Sequence, residues 1–172
     1  MQIKSDTELS QLIKNSDHTA FRELYERYWQ PLYHFLWSRT LSESLATEFV
    51  QEVFVRLWNF REQLNTQKNI KSYLYRIANN LIIDSHRKQK IRIQHQQEEQ
   101  QSAQELDPIN IELQTQLEIA IEKLPEKLRT VFVLHHLRQY TYIEIADMCN
   151  VSKKTVEKRM KKAIYILQKY FI

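Results

Sequence analysis

The 172-residue chain contains no glycine. Tight β-hairpins rely on glycine at positive φ, and the loops that cradle nucleotide phosphates need it so that backbone can approach the ligand. Its absence argues against a β-rich fold and excludes both common nucleotide-binding fingerprints. There is one cysteine, Cys149, so no internal disulfide can form, which fits a reducing compartment. No apolar run approaches the roughly 20 residues of a membrane span. The opening MQIKSDTELSQL has no signal-peptide core. The expectation is a cytoplasmic protein with no direct membrane insertion.

What is present favours helices. Prolines are few (Pro31, Pro108 and Pro125), and 42% of residues are hydrophobic, enough to build the core of one ordinary domain or of two small ones. Charge is unevenly placed. Residues 1–93 carry a net +4, residues 94–119 a net −6 and residues 120–172 a net +6. Two basic blocks around an acidic one suggest two polyanion-binding units and a linker.

Helical periodicity runs through nearly every segment. Asp6 can cap a first helix to about Ser16. A second stretch, His18 to Thr40, should be kinked or divided by Pro31, which lacks a backbone donor and crowds the preceding turn. Ser42 or Ser44 can cap a third, to about Phe60. Phe60–Asn69 reads as a polar loop, and Ile70 to about Lys90 as a strong helix. Residues 94–108, QHQQEEQQSAQELDP, hold little apolar surface and form the expected linker, the alternative being that the helix from Ile70 continues into them. Patterning resumes at Ile109–Leu124, Glu126–Leu137, Tyr142–Cys149 and Lys153–Tyr170. The reading is all-α: two small helical domains, residues 1–93 and 109–172, joined by the linker 94–108.

The C-terminal domain carries a helix-turn-helix. Ala146 is small where two helices would cross. Asn150 tolerates the left-handed conformation at the turn, Val151 plugs the turn and Ser152 caps the last helix. Val156, Met160, Ala163, Ile164 and Leu167 make one apolar stripe. The other faces carry Lys153, Lys154, Thr155, Glu157, Lys158, Arg159, Lys161 and Lys162. Such a helix fits the major groove, its N-terminal residues at base edges and its lysines at phosphates. The plainer reading is a helical hairpin with a solvated basic face.

In the N-terminal domain, Ile70, Tyr73, Leu74, Ile77, Ala78, Leu81 and Ile82 share one helix face. The opposite face holds Lys71, Ser72, Tyr75, Arg76, Asn79, Asn80, Ile83, Asp84 and Arg87. A tyrosine among cations and amides suits a nucleic-acid strand, with bases stacked on the ring and cations at phosphates. Helical pattern alone favours the plainer reading, in which Tyr75 packs against a neighbouring helix. The helix Glu48–Asn59 is also two-faced: Phe49, Val50, Val53, Phe54, Leu57 and Trp58 point one way and Gln51, Glu52, Val55, Arg56 and Asn59 another. That second face is either solvated or a docking surface.

The stretches TEFVQEVFVRLW (47–58), IKSYLYRIANNLIIDSHRK (70–88), LPEKLRTVFVL (124–134) and YIEIADMCNVSKKTVEKRMKKAIYIL (142–167) resemble, in order, those of the extracytoplasmic-function (ECF) sigma factors. The resemblance implies a promoter-recognition subunit that binds core RNA polymerase and helps melt DNA. It implies that Glu48, Gln51, Glu52 and Arg56 dock on the clamp helices of the polymerase's largest subunit. It implies that the loop Asn65–Asn69 and Lys71, Tyr75, Arg76, Asn79, Asn80 and Arg87 meet the minus-ten element, a base being flipped out near the loop. Asp84 and Arg87 match a family pattern that suggests a structural ion pair. Lys153, Lys154, Thr155, Lys158, Arg159 and Lys162 would read the minus-thirty-five element. Two positions depart from the pattern: Glu48 where the family has Asp, and Asn150 where it has glycine. TVFVLHHLRQYTYIEIA is most similar to the iron-uptake-type branch, often paired with a membrane-anchored anti-sigma factor, so an anti-sigma partner is expected.

No enzyme reading competes. The six histidines form no metal-binding spacing with cysteine or carboxylates, and the adjacent pair His135–His136 would point about 100° apart on a helix. No Ser–His–Asp or Cys–His constellation is visible. No metal, cofactor or small-molecule substrate is expected. The remaining alternative is a stand-alone helix-turn-helix regulator whose N-terminal half serves dimerisation.

Overall fold

A computed structural model describes residues 4–96 and 113–171. These form eight α-helices and no strand: α1 (Asp6–Lys14), α2 (His18–Thr40), α3 (Glu43–Asn59), α4 (Ile70–Gln96), α5 (Leu113–Glu122), α6 (Glu126–Phe132), α7 (Tyr142–Cys149) and α8 (Lys153–Gln168). A 3₁₀ turn (Arg61–Gln63) lies between α3 and α4, and a π-helical turn (Val133–Leu137) extends α6.

Local chemistry explains most boundaries. Ser5, not Asp6, caps α1, through a reciprocal capping box with Glu8. Asp6 instead lies in the first helical turn, where it accepts from Arg27 at 2.7 Å and from the Tyr28 hydroxyl, tying α1 to α2. Ser42 caps α3, Thr141 and Glu144 form a second capping box at α7, and Ser152 caps α8. Pro31 does not divide α2, which runs unbroken through it. Without glycine, the positive-φ positions fall to Ser16, Leu41, Gln139 and Asn150. Asn150 ends α7 in the left-handed region, as its turn position requires, and its N–H reaches back to the Ala146 and Asp147 carbonyls.

The expected linker is only partly visible. Helix α4 continues through Gln96, so its backbone overruns the expected boundary at residue 93. Residues 97–108, and 109–112 of the following expected helix, lie outside the described residues.

Helices α1–α4 pack around Leu24, Leu32, Phe35, Leu36, Leu57, Leu74 and Ile82, all almost fully buried. An aromatic seam of Phe21, Tyr25, Phe54 and Trp58 joins α2 to α3. Helices α5, α6 and α8 share a smaller core of Ala120, Ile121, Leu124, Leu128, Val133, Ala163 and Leu167. The larger core does not stop at the N-terminal half: Val131, Leu134, Ile145, Ala146, Met148, Val156 and Met160 belong to the same apolar cluster as Phe35 and Leu74. The two halves are therefore packed on one another, α2 against α6 and α4 against α7.

Candidate nucleic-acid and polymerase interface

The loop after α3, the first turns of α4 and the end of α7 enclose a cleft of about 800 Å³. Asn65, Asn69, Tyr75, Arg76 and Asn79 line it from the N-terminal half, and Asp147, Cys149 and Asn150 from the C-terminal half. The loop is ordered by its own amides. The Asn65 side chain accepts from the Gln67 N–H at 3.1 Å, and that of Asn69 from the Ser72 N–H at 3.3 Å, at the start of α4. Arg76 is exposed, its guanidinium over the Tyr73 ring at 5.3 Å, and Asn80 is also exposed. Asn65, Asn69, Asn79 and Arg76 present donors, acceptors and a cation along one wall, the mixture that holds a nucleic-acid strand, while Asn80 lies outside the cleft lining.

Tyr75 departs from the expected exposed face. It is 2% exposed and meets Phe35 edge-on, ring centroids 5.2 Å apart. Helix α2 crosses α4 there, and an aromatic ring fills the gap better than a polar side chain would. Its hydroxyl has no hydrogen-bond partner, the only such buried side-chain atom among the described residues, and burial pushes the phenol well above its usual range. Leaving a buried hydroxyl unpaired costs free energy. Tyr75→Phe is therefore expected to raise stability by up to about 1 kcal/mol; a fall in the thermal midpoint would show that the hydroxyl is satisfied in solution.

Other members of this set are already engaged. Asn79 donates to the Tyr75 carbonyl at 2.8 Å and accepts from Arg39. Lys71 lies 3.6 Å from Asp147. Arg87 and Asp84 stand 3.9 Å apart with side chains 75% and 52% exposed, so this pair contributes little to the fold and is not a structural tie.

Helix α8 buries Val156, Met160, Ala163 and Leu167, while Ile164, expected on the same stripe, is 38% exposed. Lys153, Lys154, Lys158 and Lys162 are exposed; Thr155 and Arg159 are half-buried. The Thr155 hydroxyl is 2.9 Å from that of Ser152, and Lys153 pairs with Glu157 at 3.7 Å. Cys149, at the end of the preceding helix, is half-buried, and burial pushes its thiol up to about 11. It behaves as a small apolar residue, not a nucleophile.

On α3, Glu48 and Gln51 are exposed, and Glu52 and Arg56 are half-exposed and joined at 2.6 Å across one turn. Val55 stands between them, 51% exposed. An apolar residue ringed by paired and unpaired charges is the make-up of a protein-docking patch.

Residues 24–91 match the model of sigma-70 region 2, and residues 114–167 that of sigma-70 region 4. The chain belongs to the ECF sigma factors. It is thus a transcription initiation factor, acting with core RNA polymerase on promoter DNA, in a family that is not catalytic. The match of its N-terminal half to region 2 disfavours a stand-alone helix-turn-helix regulator. The ECF sigma factor SigW of Bacillus subtilis is 27% identical over 91% of this chain and 91% of its own. SigM of the same organism is 27% identical over 76% and 82%. Among solved structures, CnrH in complex with the cytosolic domain of CnrY aligns with a TM-score of 0.64 at 21% identity, over 98% of this chain and 97% of that one. The Bartonella quintana sigma factor RpoE, in complex with the anti-sigma factor NepR, aligns at 0.62 and 19% identity, over 88% and 96%. These likenesses confirm the all-α fold.

The residues that join the halves were not foreseen from sequence. Arg39, Glu126, Arg129 and Asp147 are ordinary charged residues on helix surfaces, and no periodicity marks which of them meets a partner. The capping residues Ser5 and Thr141 did carry a signal, the S/T-x-x-E spacing with Glu8 and Glu144.

Proposed function

We propose that this sigma factor grips one promoter at two places while polymerase holds both halves. The loop Asn65–Asn69 with Lys71, Arg76, Asn79, Asn80 and Arg87 takes the minus-ten strand, Tyr75 forming the floor of the same cleft. Lys153, Lys154, Thr155, Lys158, Arg159 and Lys162 on α8 read the minus-thirty-five duplex, and Glu48, Gln51, Glu52 and Arg56 on α3 dock on core polymerase. The observation that carries this reading is the cleft itself, where the loop amides and the polar side chains of α4 converge. Residues 1–93 and 109–172 act as the two modules, with 94–108 as their connection. The chain carries no chemistry of its own, because nucleotide addition belongs to the polymerase. It works in the cytoplasm, where polymerase and promoter are found. An anti-sigma factor is its expected regulator, as the structurally similar Bartonella quintana sigma factor RpoE was captured with the anti-sigma factor NepR.

Run-off transcription with purified core enzyme and a promoter library tests the reading: discrete transcripts should depend on the added chain, and none from any template would reject it. On a promoter found in this way, Lys158→Ala should weaken upstream duplex binding and flatten its salt dependence by roughly 0.9 in slope, the share of one phosphate contact. An unchanged slope would remove Lys158 from the DNA face.

A further inference from the structure

One edge of the cleft is held from outside it. Phe60, Gln63, Leu64 and Asn65 line that edge. The 3₁₀ turn among them is closed by the Gln63 and Leu64 N–H groups, which donate to the Phe60 and Arg61 carbonyls at 3.0 and 3.1 Å. A turn this short does not set its own tilt. The buried Leu64 side chain fixes its depth, and two cations bind it to the corner between α1 and α2. Lys14, the last residue of α1, donates to the Leu64 carbonyl at 3.1 Å. The planar peptide unit that holds this carbonyl also holds the Asn65 N–H, so the ammonium orients the backbone from which Asn65 leaves. Arg61 donates to the Ser16 hydroxyl and to the Trp58 carbonyl, both at 2.8 Å, and its guanidinium lies over the Trp58 ring at 4.5 Å.

The corner is itself rigid. The Ser16 and Asp17 N–H groups donate to the Ile13 and Leu12 carbonyls at 2.9 and 3.0 Å, the pattern that closes a helix through a left-handed residue, and Ser16 takes that conformation with φ of 66°. Glycine would adopt it at no steric cost; serine strains the backbone and presents a hydroxyl to Arg61. His18 and Phe21, early in α2, pack on the same Trp58 ring at 4.5 and 5.0 Å. The Asn65 and Asn69 side chains accept only from N–H groups two and three residues ahead. Among the described residues, Lys14–Leu64 and Arg61–Ser16 are thus the hydrogen bonds that tie residues 60–69 to distant parts of the chain. We infer that Lys14 and Arg61 are positioning residues for promoter opening: through these bonds they hold the edge of the cleft, and with it Asn65, in the geometry that selects the minus-ten base. This rests on the assignment of the loop Asn65–Asn69 to the minus-ten strand.

The test uses holoenzyme reconstituted from core polymerase and the full-length chain, on a promoter found by run-off transcription. The rate of heparin-resistant complex formation is compared between the natural minus-ten element and versions carrying each other base at its most sensitive position. The ratio is the base selectivity, which a uniform loss of folded protein or of polymerase affinity does not move. Lys14→Met keeps the apolar stem, removes the donor and should lower the selectivity about fivefold. Lys14→Arg restores a donor and should stay within about twofold of wild type. Ser16→Gly removes the acceptor of Arg61 and should lower the selectivity about threefold, with a thermal midpoint at or above wild type because glycine relieves the left-handed backbone. Asn65→Ala/Asn69→Ala is the reference for the loop itself and should lose at least as much selectivity as Lys14→Met. Each cation is judged by its own variant. Where the loop variant loses selectivity but Lys14→Met or Ser16→Gly keeps the wild-type ratio, the positioning role of that cation is overturned and the loop assignment survives. A loss in Lys14→Arg equal to that in Lys14→Met overturns the role of the Lys14 donor. If the loop variant itself keeps wild-type selectivity, the loop assignment falls and the inference with it.

Discussion

Reversing the charge at Glu52 is expected to cut affinity for core polymerase by about thirtyfold or more, roughly 2 kcal/mol, while leaving the fold intact. Glu52 and Arg56 pair on the outer face of α3 with side chains 41% and 39% exposed. An exposed pair of this kind contributes less than about 1 kcal/mol to folding. Glu52→Arg therefore removes little from the core. On a docked surface the effect is much larger, because the new guanidinium faces whatever cation paired with the carboxylate and also repels Arg56. Exposed Val55 beside it supplies the apolar contact that would exclude water and strengthen that repulsion. Competition binding to core enzyme, with a thermal melt as control, separates the two effects. Unchanged affinity would move the docking surface off α3.

Truncating Phe35 should have the largest effect on the fold. Its ring is fully buried in α2, lies edge-on to Tyr75 of α4 and under the Arg39 guanidinium at 5.6 Å, and belongs to the apolar cluster that continues into the C-terminal half. Phe35→Ala loses both the transfer energy of the ring and the contacts around the resulting cavity, about 3–5 kcal/mol. For a chain of this size the thermal midpoint should fall on the order of 10 °C. Because the ring supports Tyr75 and the Arg39–Asn79 contact, the junction between halves should loosen together with the N-terminal core. A midpoint within about a degree of wild type would mean that the site collapses around the gap and that Phe35 is not central.

The elements themselves were readable from residue order. Helix faces follow a 3.6-residue period, so Leu74, Ile77, Ala78 and Ile82 on α4, and Val156, Met160, Ala163 and Leu167 on α8, could be assigned to cores without coordinates. Ser152 and Asn150 announced the helix-turn-helix, because capping and left-handed backbone are local chemistry. Even the miss at α1 was local: Ser5–Glu8 is the stronger signature than Asp6 alone. Of the two outcomes expected at Pro31, a kink or a division of α2, division did not occur, for another reason. Its helix is flanked on both sides of the proline by fully buried residues, Leu24, Leu32 and Phe35, whose packing outweighs one lost hydrogen bond.

Residue order thus determined an all-α chain, its helix-turn-helix and which helix faces are polar, since each depends on neighbours three or four positions away. Only the tertiary structure decided that Tyr75 lies inward against Phe35, that Arg39 holds both Asn79 and Glu126, and that Asp147 covers Lys71. These contacts join residues tens of positions apart on different helices. Period and propensity carry no term for such pairings; they arise when two amphipathic surfaces choose one another to bury shared apolar area.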